Sequence, residues 1–409
     1  MAPSSRLNPP LRRRIALSPT VLALNTGSSS VKFALFQRPN GQLEPLCRGR
    51  IEDIGVAPRL FLDGEETEAG FLRPSTNEEE HGKLITGLLD WLETEQHCTL
   101  IAAGHRIVHG GRDFSIPVMI DAKVIDRLDD LIPLAPNHQP ENLKGVSAIL
   151  SARPGLPQIG CFDTGFHRTQ PRLAQITALP RELTDSGIIR YGFHGLSYEY
   201  IASVMTEYAG AKAMGRVIVA HLGHGASMCA MHNGQSVSTT MGFTVLDGLV
   251  MGKRPGTLDA GILLHLLQDR KMTPDEISVL LNDQSGLLGV SGISSDMRVL
   301  SDSDDPHAKE AVDLFVYRAV REMAALIADL GGVDVIVFTA GIGENAPDIR
   351  ARIIAGLEWL GAQLDTAQNA KNAPSISSED SAIDIHVIPT DEEIVIAKST
   401  FRLISPSVV

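Results

Sequence analysis

Short apolar runs alternate with glycine- and serine-rich segments along the chain, and the first run sets the pattern. Residues 21–24 (VLAL) read as a strand, 25–30 (NTGSSS) as a donor-rich turn, and 31–36 (VKFALF) as a second strand. Strand, polar turn and strand predict a β-hairpin. The pattern returns about 200 residues later. Residues 217–220 (VIVA) are the strand, 221–227 (HLGHGAS) the turn, 228–231 (MCAM) the returning strand, and Asn233-Gly234 a further hairpin signal. Overlaid, Asn25 falls on His221 and Gly27 on Gly223. Each copy is followed by a buried-looking strand that ends in glycines. Residues 99–103 lead into Gly104-His105-Arg106 and then His109-Gly110-Gly111, and residues 333–339 lead into the turn Ala340-Gly341-Ile342-Gly343-Glu344-Asn345. The same order of parts, twice, predicts an α/β protein of two duplicated domains.

Helical patterns fill the gaps. Residues 78–95 are apolar at Leu84, Leu88, Leu89, Trp91 and Leu92, and residues 308–330 form a long amphipathic stretch that Gly331-Gly332 ends. Residues 369–384 are rich in Ser, Asn and Asp and read as a surface loop. The expected division is a disordered extension over 1–18, a first domain over 19–165, and a second, nucleotide-binding domain over 166–393. A final helix in 394–409 is expected to return to the first domain.

Composition narrows the function. The 409 residues carry a net charge of −13, so bulk electrostatics disfavour a nucleic-acid or anionic-membrane partner. No apolar run approaches the roughly 20 residues of a membrane span. Cys47, Cys98, Cys161 and Cys229 stand far apart, with no CxxC pair, and read as reduced thiols. Arg12, Arg13 and Arg14 cluster among Pro and Ser; a transit peptide competes there with a disordered extension.

Several segments could handle phosphate. Ser28, Ser30 and Lys32, at alternate positions, share one strand face beside the flexible Gly27, and equally describe a polar hairpin with a surface lysine. The turns at 221–225 and 341–345 follow apolar strands, and the second precedes a plausible helix start at 346–350, whose N-terminus favours electronegative groups. Neither is a P-loop or a GxGxxG motif. Arg106 and Arg254 sit beside glycines, and guanidinium suits planar, bidentate carboxylate or phosphate binding. His194 and Asp163, taken alone, read more readily as a structural histidine and a turn or helix-cap aspartate.

Taken together these segments resemble the acetate kinase family. The resemblance rests on VLALNTGSSSVKF (21–33), GHRIVHGG (104–111), FDTGFH (162–167), RYGFHG (190–195), SGISSDMR (291–298), FTAGIGEN (338–345) and PTDEE (389–393), in the family's order. It implies the fold shared with actin, sugar kinases and Hsp70, two duplicated actin-like (ribonuclease H-like) domains around a nucleotide cleft. It implies reversible phosphoryl transfer from ATP to acetate, giving acetyl phosphate and ADP, with Mg2+ or alternatively Mn2+. By that resemblance Asn25 and Glu392 hold the metal, Arg106 binds the carboxylate substrate, and Asp163 is the residue usually called the catalytic acid/base. His194 and Arg254 match transition-state stabilisers, and His138 and His221 further active-site histidines. Val108, Asn137, Phe193 and Val245 match the acyl pocket. Ser28, Ser30 and Lys32 match the phosphate-facing hairpin, while His221, Leu222, Gly223, His224, Gly225, Asp296, Met297, Arg298, Gly341, Ile342, Gly343, Glu344 and Asn345 match ATP-binding segments. A cytoplasmic homodimer is expected.

Phosphoryl transfer needs positioning and charge neutralisation, and a small carboxylate is already ionised at neutral pH, by analogy with side-chain values of roughly 4. Asp163 is therefore expected to orient a metal, a histidine or an arginine rather than to move a substrate proton. Departures from the family fall mostly in the pockets. His224 stands where Asn is usual, Asn137 where Leu is, Val245 where Pro is, and Asp391 where Asn is; 256–259 (GTLD) lack the acidic residue common directly after that glycine. These bear on acyl specificity. The alternatives are a propionate or butyrate kinase, and an inactive nucleotide-binding interaction module.

Overall fold

Thirteen strands in two sheets form the frame of the computed structural model, which describes residues 19–72 and 80–404. The expected extension over 1–18, with Arg12–Arg14, lies outside the described residues, as do residues 78, 79 and 405–409. The first sheet contains β1 (Pro19–Thr26), β2 (Val31–Gln37), β3 (Glu44–Glu52), β4 (Arg59–Leu62), β5 (Glu65–Thr67), β6 (Thr99–Ile107), β7 (Val118–Met119) and β8 (Gln158–Phe162). The second contains β9 (Arg216–Leu222), β10 (Ala226–His232), β11 (Gln235–Thr239), β12 (Val335–Thr339) and β13 (Asp384–Val387). The helices that matter here are α1 (Glu80–Thr94), α2 (Gln139–Ala152), α3 (Gly195–Ala209), α4 (Ala260–Gln268), α5 (Pro306–Leu330), α6 (Ala340–Asn345), α7 (Pro347–Ala355) and α8 (Glu392–Ile404).

The duplication read from the hairpins is a duplication of topology. The first sheet contains the run β3-β2-β1-β6-β8 and the second is β11-β10-β9-β12-β13. In both, the first three strands are antiparallel and the last three parallel. The chain divides into two units to match: one runs to Gly165 and resumes at Asp391, and the other is Phe166–Thr390.

Strand alternation builds each core. In the first unit Leu22, Leu24, Phe33 and Leu35 pack with Leu84, Leu88, Leu89 and Leu92 of α1. On the opposite face α8 lies across β1, β6 and β8. In the second unit Val217, Val219, Val335 and Val337 meet Tyr198, Ile201 and Met205 of α3, and α5 packs on β9, β10 and β11.

Four sequence expectations need correction. Gly104, His105 and Arg106 are not in a turn but inside β6. The glycine is there for close packing: a Cβ would stand 2.3 Å from Thr400 Oγ1 and 2.5 Å from Ile396 Cγ2 of α8. Ser28 and Ser30 do not share a strand face with Lys32, because β2 begins at Val31. They sit in the turn that the Gly27 N–H closes onto Ser30 O at 2.8 Å. Residues 340–345 are not an open turn but the short helix α6. Finally, 369–384 is not all loop: a helix occupies Thr366–Ala370, and β13 starts at Asp384.

Candidate active site

Parallel strands point their carboxyl ends the same way, and in the first unit those ends carry the candidate residues. Asn25 is the penultimate residue of β1, Arg106 that of β6, and Asp163 immediately follows β8. Glu392 opens α8. Arg106 Nε donates to Asp163 Oδ1 at 3.0 Å and Oδ2 at 3.1 Å, and Nη2 to Oδ2 at 2.5 Å. Its Nη1 reaches Asn25 Oδ1 at 3.3 Å, and Glu392 Oε2 lies 3.5 Å from Nε. Burial alone would depress the guanidinium's pKa, but Asp163 and Glu392 outweigh it and hold it above the ordinary value.

One cation thus faces two carboxylates. Glu392 is the under-compensated one: burial pushes its carboxyl up to about 7, against the pull of Arg106. An amide oxygen and buried carboxylates are hard oxygen donors, and too few for a complete protein cage. That set suits Mg2+, which retains several waters. Asp391, one residue earlier, accepts from the N–H of Ile394 and pairs with Arg48, which also reaches Glu393 at 3.5 Å. A charged residue is satisfied where the family has Asn.

The rest of the first-unit set is dispersed around these strand ends. Val108 is buried, its N–H held by Asn142. Asn137 is exposed and His138 half-buried in the turn before α2. Lys32 is exposed on β2 opposite Asn25.

In the second unit, two histidines stack with ring centroids 4.2 Å apart and planes 20° from parallel. His194 holds a left-handed backbone, φ 59, at the N-cap of α3, and His221 is the penultimate residue of β9. Each Nδ1 is tied to a serine: His194 to Ser227 Oγ at 2.8 Å, and His221 to Ser197 Oγ at 2.9 Å. Ser227 is bonded in turn to Tyr198 Oη at 2.5 Å, and Ser197 to Thr390 Oγ1 at 2.7 Å. A Cβ on Gly225 would stand 3.2 Å from Arg254 Nη2 and 3.3 Å from His194 Nε2, so a side chain there would press on both groups. Arg254 donates to Val245 O at 2.9 Å. Among the described residues no carboxylate lies within ion-pair distance of it, and burial lowers its pKa to about 10.

Beside this cluster is a cavity of about 680 Å3. Gly223, His224, Asp296, Met297, Gly341 and Asn345 are among its lining residues. Asp296 caps the short helix Met297–Ser301 and pairs with the exposed Arg298. His224 packs over Gly252, and partial burial with Arg254 and Lys253 nearby lowers its pKa. Leu222, Met297 and Phe193 are buried, so at 222 the backbone is what the site can use. Glu344 is engaged within the protein: its Oε1 accepts from Ala340 N at 2.8 Å and Thr390 N at 3.2 Å.

Sequence reasoning passed over Ser197, Ser227, Tyr198, Thr390 and Arg350. Arg350 is fully buried and donates to Gly343 O, Glu344 O, Asn369 and Asn372, bracing α6 from below. The signal for Ser227 was its place opposite His221 across the hairpin. Two other histidines are structural. His105 is bonded to Gln158, and His167 lies between Ser236 and Phe193 O; burial brings both to about 4.

The sequence profile of the acetokinase family matches residues 20–398. The chain is 50% identical over 400 residues to the acetate kinase of Rhodopseudomonas palustris, covering 95% of this chain and 99% of that one. It is 47% identical to that of Nitrobacter hamburgensis over 390 residues, 94% and 96% of the two chains. Among solved structures, a propionate kinase from Francisella tularensis superposes with a TM-score of 0.87 at 37% identity, covering 94% of this chain and 99% of that one. Porphyromonas gingivalis acetate kinase gives 0.84 at 37%, covering 95% and 100%. The profile match and the full-length similarity agree: the chain belongs to the acetokinase family.

Proposed function

We propose that this protein transfers the terminal phosphoryl group of ATP to acetate, reversibly, giving acetyl phosphate and ADP. The observation that carries the reading is Arg106, held by Asp163 and Asn25 at the strand ends of the first unit. Those bonds engage three of the five N–H groups, and two are left for a substrate carboxylate. Asp163 fixes the guanidinium and moves no proton. Asn25 and Glu392, with Asp163 close by, would hold Mg2+, which when bound neutralises charge on the phosphate oxygens. Arg254, with no carboxylate within ion-pair distance among the described residues, and His194 supply donors for the oxygens of the transferring group. The cavity beside His224 and α6 takes the nucleotide.

A cytoplasmic homodimer belongs to the same proposal. None of the nine residues of α4 is buried, and Ile262, Leu264 and Leu267 are exposed, which supports self-association. Among the described residues no helix is long and apolar enough to cross a membrane.

Acyl-hydroxamate formation with ATP, Mg2+ and hydroxylamine, compared across acetate, propionate, butyrate and lactate, tests the proposal. Highest turnover is expected with acetate. Preference for a longer acid would assign Asn137 and Val245 a reshaped pocket, and nucleotide binding without turnover of any acid would overturn the kinase reading.

A further inference from the structure

We propose that Thr390 is a positioning residue for the catalytic face of the second unit, acting on His221 through Ser197. The inference rests on the kinase reading for its catalytic consequence and on geometry alone for its structural one. Strands β12 and β13 run parallel, and beyond them the Ile388 N–H still reaches Phe338 O at 3.0 Å. The two chains then part, one into α6 and the other toward Thr390. Glu344 bridges the gap. Its Oε1 accepts from the N–H of Ala340 on one side and of Thr390 on the other, taking the place of the next rung of the ladder. Ala340 itself has φ 65, an uncommon conformation for a residue with a side chain, and the carboxylate bond helps to hold it.

With its backbone pinned, Thr390 presents its hydroxyl to Ser197 Oγ at 2.7 Å. Ser197 is fully buried in the first turn of α3, and its oxygen also meets His221 Nδ1 at 2.9 Å. The serine has one proton to give. When Thr390 donates to Ser197, Ser197 donates to Nδ1. His221 then carries its proton on Nε2, as a donor. When the order reverses, Nε2 is an acceptor, unsuited to an anionic oxygen. The threonine therefore helps to set both the orientation of the imidazole and the nitrogen that carries the proton. His194 has a parallel arrangement through Ser227 and Tyr198, so both stacked rings are held from the Nδ1 side by paired hydroxyls.

The test uses the full-length chain. Thr390→Val keeps the shape and the backbone N–H but removes the hydroxyl. Ring 15N shifts of His221 are read by NMR without substrate, and kcat and KM by the hydroxamate assay. We expect Thr390→Val to move the His221 ring shifts and lower kcat about tenfold, with KM for acetate within about twofold, and Thr390→Ser to restore both. Ser197→Ala should reproduce the defect, and the double variant should be no worse than Ser197→Ala alone, because both act along one path. Unchanged His221 shifts in Thr390→Val, or full additivity in the double variant, would overturn the proposal. If the wild type proves inactive on every acid, the kinase reading fails while the NMR comparison still decides the role of Thr390. If Thr390→Val does not fold, Ser197→Ala and Thr390→Ser decide it in the same way.

Discussion

Replacing Asp163 with asparagine separates orientation from proton transfer. Asp163 is 1% exposed, and both its oxygens accept from Arg106. The substitution keeps the volume, removes the charge and turns an NH2 group toward a guanidinium that has nothing to accept with. Breaking a buried ion pair from one side costs about 3–5 kcal/mol. Glu392, already 3.5 Å from Arg106 Nε, takes up part of the lost interaction, so the lower end, about 3 kcal/mol, applies. That loss is read as a lower melting temperature, while a guanidinium misplaced by about 1 Å lowers kcat/KM for acetate on the order of a hundredfold. The rearrangement has a second effect. Glu392 drawn to the arginine is less available to a cation, so the Mg2+ concentration for half-maximal rate should rise several-fold. The assay is steady-state hydroxamate formation with acetate and Mg2+ varied, between about pH 6 and 9. The profile should fall in height and keep its ionisation limbs, with the Glu392 limb moved to lower pH because the Asp163 charge no longer raises it. Disappearance of an ionisation limb with an unchanged metal requirement would refute the orienting role.

Other expectations follow from single contacts. Gly225→Ala should lower kcat by about 10–100-fold with little change in melting temperature, because the new methyl displaces Arg254 and His194 rather than core atoms. His105 and His167, near 4 in the folded protein and about 6.5 in the unfolded chain, bind fewer protons when native between those values. Stability should therefore fall with pH from about 6.5 toward 4, by about 1.4 kcal/mol per unit for each, and thermal melts of His105→Asn should show a shallower acid slope. His224→Asn should change KM for ATP less than about threefold at pH 8. On acidification the wild type should gain affinity relative to the variant, because only the imidazole acquires charge. Arg350→Met should cost about 3 kcal/mol or more, read as a lower melting temperature, and Arg350→Lys should recover little, since an ammonium cannot serve the spread of acceptors around the guanidinium.

The hairpins were legible because apolar strands closed by glycine or Asn-Gly carry their own signal. Asn25 and His221 were aligned by that signal and do occupy equivalent strand positions. Their cross-strand partners, Lys32 and Ser227, were not aligned. The second turn spans 223–225 where the first spans 27–30, and the one-residue difference shifts a linear overlay. Gly104 reads as a turn because its reason lies in Ile396 and Thr400, far along the chain. Arg350 carries no sequence signal of its burial, which depends on Asn369 and Asn372 folding over it. Asp391 reads as a departure until Arg48, 343 positions away, is seen beside it. Local chemistry was visible in the sequence. Contacts that need the whole chain to fold back were not.

That folding back also orders events on the ribosome. The strands of the first sheet emerge before the second unit, but one face of β1, β6 and β8 is covered by α8, which is synthesised only after that unit. Until then Ala23, Gly104 and their neighbours lack their helix, and Glu392 has not arrived beside Arg106. The second unit, by contrast, has all its strands and helices once Thr390 is made. Nascent chains stalled before residue 391 therefore present an uncovered sheet face to chaperones and proteases, and the first unit is completed only after the second.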